Sequence, residues 1–259
     1  MLRGHLDLVQ DVRYGNDRRQ RLDVYQPRRR QAAAVIVFLH GGRWQNGSKR
    51  EYRLLGAAIT AEGVVAVVPE YRLYPQVRFP GWVEDAARAV RWVRDSIEHY
   101  GGDPSQIFVV GHSSGAHTAA LLALDEHYLR EAGLPTNAVR GYVSLAGPVA
   151  TEWTDPDVQA LMGPRGGWTA TYPLEQVDGS EPPLLLLHGA KDQIVSSENS
   201  TRLAARIRGR GGCTRVVFYR GLDHLGIVVA FALARLNLAP VMDDVITFIR
   251  HPAAGCSRF

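Results

Sequence analysis

Short, uninterrupted runs of apolar residues recur along this chain. A strand with one face in water alternates apolar and polar residues, whereas a strand covered on both faces need not alternate. The runs therefore predict buried, parallel strands. They lie at residues 34–39 (AVIVFL), 64–68 (VVAVV), 107–110 (IFVV), 142–145 (YVSL), 184–187 (LLLL) and 216–219 (VVFY).

Segments with a helical spacing of apolar residues separate these runs. Ser48 is a candidate N-cap for a helix through residue 61, and further helices are predicted at residues 80–100, 115–124 and 197–208. Strands that alternate with helices of this length imply right-handed crossovers. The predicted fold class is α/β, with a mostly parallel central sheet that helices cover on both faces.

Two segments break this alternation. Residues 6–14 and 21–25 flank the turn sequence GND at 15–17, which predicts an antiparallel hairpin at one edge of the sheet. Residues 147–183 are rich in Pro, Gly, Trp and charge, and they predict a small cap-like insertion over the sheet rather than a second domain. All 259 residues are therefore expected to form a single domain.

Composition narrows the function classes. With 46% hydrophobic and 22% charged residues, the chain is typical of a globular enzyme. Its net charge of +4 comes from basic residues spread along the chain. The one tight run, from Arg28 to Arg30, is interpreted as a solvated connection, so no nucleic-acid partner is predicted. Cys213 and Cys256 are too few and too far apart to predict a disulfide scaffold or a zinc site.

The cellular location is predicted from the N-terminal residues and from the most apolar stretch of the chain. Charges interrupt the N-terminal residues, which therefore lack the apolar core of a secretion signal and favour the cytoplasm. The most apolar stretch, residues 227–234, is far too short to cross a bilayer, so no membrane partner is predicted.

Candidate chemistry begins at GHSSG, residues 111–115, directly after a predicted strand. The spacing Gly111-x-Ser113-x-Gly115 fits a sharp strand-to-helix turn that strains the backbone of the central serine and exposes its hydroxyl. Ser113 is therefore the candidate nucleophile, and Ser114 contributes only its backbone N–H. A Gly/Ser turn without chemistry is the alternative, which the rest of the sequence has to decide.

Two further polar sites follow predicted strands. HGAKD ends in Asp192 after the LLLL run, and GLDH ends in His224 after the VVFY run. Functional groups of doubly wound sheets gather beyond the carboxyl ends of strands, and the order Ser, Asp, His is that of the α/β-hydrolases. His224 would accept the serine proton, while an ionised Asp192 would orient the imidazole and stabilise its charged form.

The segment HGGRW, residues 40–44, follows the first buried run. A glycine-rich turn there can direct backbone N–H groups at a developing oxyanion. The candidate donors are Gly41, Gly42 and Ser114. Trp44 adjoins this loop and is the candidate substrate-binding residue, whereas Trp153 and Trp168 fit either a pocket wall or the core. No H-E-x-x-H pattern occurs, and no metal site is predicted.

Together with YRLYP, FP and ED between Tyr71 and Asp85, these segments resemble the α/β-hydrolase esterases. More narrowly, they are similar to the HGGxW group of small carboxylesterases and kynurenine formamidase-like proteins, related to the hormone-sensitive lipase family. The resemblance covers roughly residues 20–250. Serine at 114 and Glu70 stand where relatives more often have alanine and aspartate.

The resemblance implies a serine hydrolase that cleaves small-molecule esters through an acyl-serine intermediate, without a cofactor. The short 147–183 segment favours short-chain or aryl esters over long-chain lipids. The residues it implies are the triad Ser113, Asp192 and His224, with Gly41, Gly42 and Ser114 as oxyanion donors. The sequence does not predict an oligomeric state.

Several alternatives stay open. His40 or His188 could act as the base, although both are interpreted as structural donors, and Asp223 is the rival acid. Arg72 and Asp85 are expected to form a structural ion pair. The triad and the oxyanion donors would equally serve an arylformamidase that acts on N-formylkynurenine-type amides. A non-catalytic binding protein on this fold is the alternative of another class.

Overall fold

The computed structural model describes residues 7–28, 32–149, 152–254 and 256. Its strands are β1 (Asp7–Arg13), β2 (Arg21–Gln26), β3 (Ala33–Leu39), β4 (Val65–Pro69), β5 (Gly102–His112), β6 (Gly141–Leu145), β7 (Leu184–Gly189) and β8 (Thr214–Tyr219). In this part of the chain they form one sheet in the order β1-β2-β4-β3-β5-β6-β7-β8.

Helices follow most of the parallel strands. They are α1 (Arg53–Ala61), α2 (Gly81–Ser96), α3 (Ser114–Leu124), α4 (His127–Glu131), α5 (Pro156–Met162), α6 (Glu198–Gly209), α7 (Gly226–Ala232) and α8 (Val241–Arg250). Short 3₁₀ turns lie at Lys49–Tyr52, Ile97–Tyr100, Arg165–Thr171, Pro173–Gln176 and Ala234–Leu236. The Ser48 hydroxyl accepts a hydrogen bond from the Arg50 N–H, so Ser48 caps the first of these turns, and α1 begins only at Arg53.

The predicted fold class is confirmed. Strands β3 to β8 are parallel to one another, whereas β1 pairs with β2 and β2 with β4 in antiparallel registers. Five of the six apolar runs lie wholly within strands, the sixth does so except for Val64, and the hairpin forms one sheet edge. Of the sequence predictions, Leu6 in the hairpin and Arg29 and Arg30 in the basic run lie outside the described residues.

Strand β8 differs from its prediction as a strand covered on both faces. It is the last strand in the sheet, with β7 as its only strand neighbour among the described residues. Several of its side chains are half-buried, and Phe218 is 44% exposed. An apolar run reports hydrophobicity but not position in the sheet, so it cannot distinguish an edge strand from a central one.

Two apolar layers lie against the two faces of the sheet. On one face, alternate residues of β3 such as Val35 and Val37 share a cluster with α2, α3 and α6. On the other face, Ile36 and Phe38 share a cluster with α1, α7 and α8. Because successive side chains of a strand point to opposite faces, a single apolar run supplies both layers.

The segment between β6 and β7 contains α5 and two 3₁₀ turns. It packs against the loop that precedes α2, where the Phe79 N–H donates a hydrogen bond to the Leu161 carbonyl. Its role as a cap stays a prediction.

The two cysteines, whose redox state the sequence leaves open, form a disulfide. Cys213 lies just before β8, and Cys256 follows α8; their Cα atoms are 5.3 Å apart despite a sequence separation of 43. Separation along the chain does not limit a disulfide when the fold brings both residues to one place. No helix in the described ranges is long and apolar enough to span a membrane.

Candidate active site

Ser113 occupies the turn between β5 and α3. Its backbone has φ 55° and ψ −121°, a conformation that non-glycine residues rarely adopt. The turn is held by a hydrogen bond from its N–H to the Leu145 carbonyl at 2.9 Å. A Cβ at Gly111 would collide with the Gly115 carbonyl, and one at Gly115 with the Leu39 carbonyl. Both glycines of the motif are therefore required by close backbone contacts.

The three side chains predicted as a triad lie together. The Oγ of Ser113 is 2.9 Å from Nε2 of His224, and Nδ1 of His224 is 2.7 Å from Oδ2 of Asp192. Ser113, Asp192 and His224 follow β5, β7 and β8, whose carboxyl ends meet at one edge of the sheet. Because the sheet is parallel, residues separated by more than a hundred positions become hydrogen-bonded neighbours.

Asp192 is held as an anion. Its Oδ1 accepts hydrogen bonds from the N–H groups of Ile194 and Val195, both at 2.9 Å. Burial by itself raises the pKa of Asp192, but the Val195 N–H, His224 and the Ile194 N–H together outweigh burial and hold the pKa below its ordinary value. A carboxylate in this state can accept the His224 proton as a hydrogen bond throughout the neutral pH range.

The rival acid, Asp223, does not contact His224. Its side chain is directed to the first turn of α7, where Oδ1 accepts a hydrogen bond from the Gly226 N–H at 2.7 Å. The residue is exposed. The geometry therefore favours Asp192 as the partner of His224.

The predicted oxyanion donors differ from one another. In the part of the chain that the structure describes, the N–H groups of Gly42 and Ser114 have no protein acceptor. The Gly41 N–H instead donates to the Tyr52 hydroxyl at 3.3 Å, and its role as an oxyanion donor stays a prediction. Sequence reasoning missed the Arg43 N–H, which likewise has no acceptor there and follows Gly42 in a left-handed backbone with φ 56°.

The ion pair between Arg19 and Glu70 holds the carboxyl end of the oxyanion loop. Arg19 binds Oε2 of Glu70 at 2.6 Å and also donates to the Gly47 carbonyl at 3.0 Å, while Oε1 of Glu70 accepts the Ser48 hydroxyl at 2.8 Å. The oxyanion loop is thus fixed at its carboxyl end by charge-assisted hydrogen bonds. Nothing in the spacing of these residues indicates the contact, because the hairpin turn and the strand end meet only in the fold.

The other histidines near the site are buried. Burial lowers the pKa of His40, His112 and His117 to about 4, so all three are neutral at neutral pH. Nδ1 of His40 is 2.8 Å from the Gly41 carbonyl, and its ring stacks on Tyr71. His188 lies behind Asp192 rather than beside Ser113. Neither His40 nor His188 contacts the nucleophile as a base.

Trp44 is placed differently from its prediction as a substrate-binding residue. Only 3% of the residue is exposed, and its ring packs against Trp82, His117 and Trp153. A side chain enclosed in this way offers no open face to a ligand, so the structure gives it a supporting role beneath the loop.

Trp153, Trp168 and the predicted ion pair all have defined contacts within the fold. Trp153 donates to the Thr171 hydroxyl at 2.7 Å, and Trp168 is likewise buried. Arg72 and Asp85 form the predicted ion pair through two hydrogen bonds of 2.8 and 2.7 Å. No group of three or more metal-ligating side chains occurs among the residues that the structure describes.

Comparisons with known proteins identify relatives of this chain. The BD-FAE family model matches residues 22–207. Esterase LipQ of Mycobacterium tuberculosis (strain ATCC 25618 / H37Rv) is 30% identical over 96% of this chain and 64% of its own length. A probable isoprenylcysteine alpha-carbonyl methylesterase, ICME, of Oryza sativa subsp. japonica is 26% identical over 93% of this chain and 64% of its own length. The chain thus spans less than two thirds of these relatives.

Solved structures show the same fold. A truncated carbohydrate esterase from gut microbiota superposes with a TM-score of 0.81 at 21% identity, covering 95% of this chain and 96% of that one. An esterase of Pyrobaculum calidifontis superposes with a TM-score of 0.75 at 24% identity, covering 90% and 82%. At these identities the likeness establishes the α/β-hydrolase fold.

Proposed function

This chain belongs to the BD-FAE family, and from that premise we propose that it is a serine carboxylesterase that cleaves small carboxylic esters through an acyl-serine intermediate. One observation carries the proposal: the continuous hydrogen-bonded chain from Ser113 through His224 to Asp192, with distances of 2.9 and 2.7 Å. A general base must lie within hydrogen-bond reach of the proton it removes, and His224 meets that condition.

The first half of the reaction forms the acyl-enzyme. His224 takes the proton of Ser113 as Oγ attacks the ester carbonyl carbon, and the carbonyl electron pair moves to the oxygen. The N–H groups of Gly42 and Ser114 receive that oxyanion. When the tetrahedral intermediate collapses, the bond to the alcohol oxygen breaks, and His224 donates its proton to the leaving alkoxide.

The second half releases the acid by the same steps with water. His224 removes a proton from a water molecule, whose oxygen attacks the acyl carbon, and Ser113 leaves as the protonated hydroxyl. Asp192 stays ionised throughout and stabilises the imidazolium that forms twice in each cycle. Its depressed pKa suits this role.

The substrate class rests on two supporting observations. Relatives carry the names esterase and methylesterase, the second of which describes a small alcohol leaving group. The segment between β6 and β7 is short and contributes to a packed aromatic cluster with Trp44 and His117, which leaves little chain for a large lid. Turnover of p-nitrophenyl esters should fall as the acyl chain lengthens; a steady rise beyond about ten carbons would contradict this preference.

The nucleophile is tested by covalent labelling. A fluorophosphonate probe is expected to label the protein at Ser113 and to leave Ser113→Ala unlabelled, because attack on phosphorus requires the activated hydroxyl. Peptide mapping identifies the labelled residue. Equal labelling of the variant would overturn the assignment.

The acid is tested by a pair of matched variants. Asp192→Asn is expected to lower kcat by up to about 10⁴-fold, because an amide stabilises the wrong imidazole tautomer, whereas Asp223→Asn should stay within about threefold of the unmodified protein. Steady-state kinetics on p-nitrophenyl acetate measures both. A larger loss in Asp223→Asn would exchange the two roles.

Two rival functions have distinct outcomes. An arylformamidase would use the same triad. Faster turnover of N-formylkynurenine than of any short ester would favour the arylformamidase over the carboxylesterase. A non-catalytic binding protein would show neither labelling nor hydrolysis across the panel. The intact hydrogen-bonded triad supports an enzyme over that alternative.

The cellular location is a separate question. The sequence predicts the cytoplasm, but the Cys213–Cys256 disulfide favours an oxidising compartment, because cytosolic thiols are kept reduced. We therefore propose an oxidising location. Thiol alkylation of the denatured protein from its native cells should modify neither cysteine, and two alkylated cysteines would support the cytoplasm instead.

A further inference from the structure

A second histidine lies behind the triad, where the proposed reaction does not use it. The imidazole of His188 is fully buried, and its Nε2 is 2.9 Å from the Val195 carbonyl and 3.3 Å from Oδ2 of Asp192. Its other nitrogen, Nδ1, is 2.8 Å from the Ser200 hydroxyl in α6. Every polar atom of this ring therefore has a partner on the loop that carries Asp192 or on the helix that follows it.

The surroundings determine which nitrogen of His188 carries the proton. Nε2 faces two oxygens that can only accept, a carbonyl and an ionised carboxylate, so it must be the N–H donor. Burial lowers the pKa of His188, and the ring is therefore neutral. Nδ1 then has a lone pair, and the Ser200 hydroxyl donates to it.

This N–H acts on Asp192 in two ways. It lies close to Oδ2, the same oxygen that accepts from Nδ1 of His224. It therefore offsets part of the negative charge that this oxygen presents to His224. By donating to the Val195 carbonyl it also holds the turn in which Oδ1 accepts the N–H groups of residues 194 and 195. Both oxygens of the carboxylate are thus oriented by interactions that depend on His188.

We propose that His188 is a positioning residue: its Nε2–H fixes the Asp192 carboxylate in the orientation and charge state that His224 requires. This inference rests on the proposed function, since Asp192 matters to catalysis only if His224 is the base. The alternative role for His188 is to fill space beneath the loop, which any side chain of similar volume would do.

Other ionisable groups near Asp192 have different roles. His112 lies with its ring 5.0 Å from that of His224 and its Nε2 3.0 Å from the His224 carbonyl. The exposed charged groups in the flanking loops and at the start of α6 are Lys191, Arg220, Asp223 and Glu198. In the described part of the chain, none of these side chains forms a hydrogen bond or ion pair with the Asp192 carboxylate.

Two substitutions at position 188 separate positioning from space filling. His188→Leu removes the donor, whereas His188→Gln keeps an N–H near the position of Nε2. We expect His188→Leu to lower kcat about 10- to 100-fold, less than loss of the acid itself, with KM changed less than about threefold. His188→Gln should recover most of that loss.

The pH profile of kcat/KM is the second readout. Without the His188 donor, the Asp192 anion is a stronger acceptor for the His224 imidazolium, so the acidic limb should move to higher pH in His188→Leu and return in His188→Gln. His117→Leu is the matched control, because His117 is equally buried and is 2.8 Å from a backbone carbonyl, Thr171, but lies in α3, away from Asp192. Its acidic limb should not move.

A third variant covers the case in which His188→Leu does not fold. Ser200→Ala removes only the hydroxyl that donates to Nδ1 of His188 and holds the ring in place, and it should move the acidic limb in the same direction by a smaller amount. Thermal unfolding of every variant reports the folded fraction, and fluorophosphonate titration reports the active-site concentration used for kcat.

The outcomes distinguish this inference from the function on which it rests. A wild-type protein without Ser113-dependent hydrolysis would overturn both. An active wild-type protein whose His188→Leu and His188→Gln variants have the same kcat, with the acidic limb unmoved in both and in Ser200→Ala, would overturn the positioning role alone.

Discussion

Gly115 lies where no side chain fits, and the nucleophile turn depends on it. The position that a Cβ would take is already filled by the Leu39 carbonyl, a backbone atom that cannot rotate away. An added side chain destabilises the fold most where its neighbours are backbone atoms, because the strand itself would have to move.

Gly115→Ala is therefore expected to lower the free energy of unfolding by at least about 3 kcal/mol. Gly209→Ala is the control: Gly209 ends α6, and a Cβ there meets nothing within 4 Å. Urea denaturation measures both variants. A Gly115→Ala protein as stable as the control would show that the turn is looser than the structure indicates.

Three residues with a left-handed backbone lie in the oxyanion loop and the nucleophile turn. Ser113, Arg43 and Trp44 all have φ between 55° and 58°, a region that costs a non-glycine residue on the order of 1 kcal/mol or more. For Ser113 the motif itself predicts the strain. For Arg43 and Trp44 the sequence carries no such signal, because neither residue type favours a left-handed backbone.

At the scale of elements, a buried ion pair joins the N-terminal hairpin to the 3₁₀ turn that precedes α1. Nζ of Lys49 contacts Asp23 of β2, which is fully buried, and is 2.9 Å from Oδ1 of Asp11 in β1. Lys49 lies in the 3₁₀ turn that follows the oxyanion loop. The pair thus ties the edge of the sheet to the loop that receives the oxyanion.

Lys49→Met should lower the free energy of unfolding by about 3–5 kcal/mol, because it leaves the Asp23 carboxylate buried without its cation. Replacing both partners, as in Lys49→Met with Asp23→Leu, should recover most of the loss, since no buried charge remains. Chemical denaturation of the three proteins tests this. Equal destabilisation of the single and double variants would contradict the electrostatic cause.

At the scale of the whole molecule, buried neutral histidines make stability depend on pH. Burial depresses the pKa of His40, His112 and His117 to about 4, against 6.5 for an exposed histidine. Below pH 6.5 the unfolded chain therefore binds protons that the folded protein does not. Their contribution to stability is complete above pH 6.5 and is lost as the pH falls towards 4.

Unfolding at pH 5.5 should take up about 0.9 proton for each of these histidines, and unfolding at pH 8 close to none from them. Potentiometric titration during urea unfolding measures the uptake. The variant His117→Gln should lower it by about one proton. Uptake of less than one proton by the unmodified protein would mean that these rings are not buried neutral.

The disulfide constrains the molecule at the far side from the site. Replacing both cysteines by serine should lower the free energy of unfolding by about 4 kcal/mol, the loop-closure value for a separation of 43 residues. Because Cys213 precedes β8, whereas His224 follows it, kcat should not change. A large fall in kcat at full folding would show coupling between the two ends of the strand.

The sequence by itself determined those features that depend on neighbours along the chain. Apolar runs identify the strands, because covering both faces leaves no polar positions, and the glycine spacing around Ser113 identifies a turn that only glycines allow. The order of Ser113, Asp192 and His224 at strand ends then follows from the parallel topology. Their proximity could be predicted because parallel strands share one carboxyl edge.

Only the tertiary structure decided which groups meet across that edge. The Gly41 N–H faces Tyr52, Trp44 is enclosed by other rings, and His188 reaches Asp192. Cys213 meets Cys256 by the same kind of contact between distant segments. Such contacts depend on distances through space, which the periodicity of a strand or helix does not report. A hydrogen bond forms or is lost over a few tenths of an ångström in donor–acceptor distance.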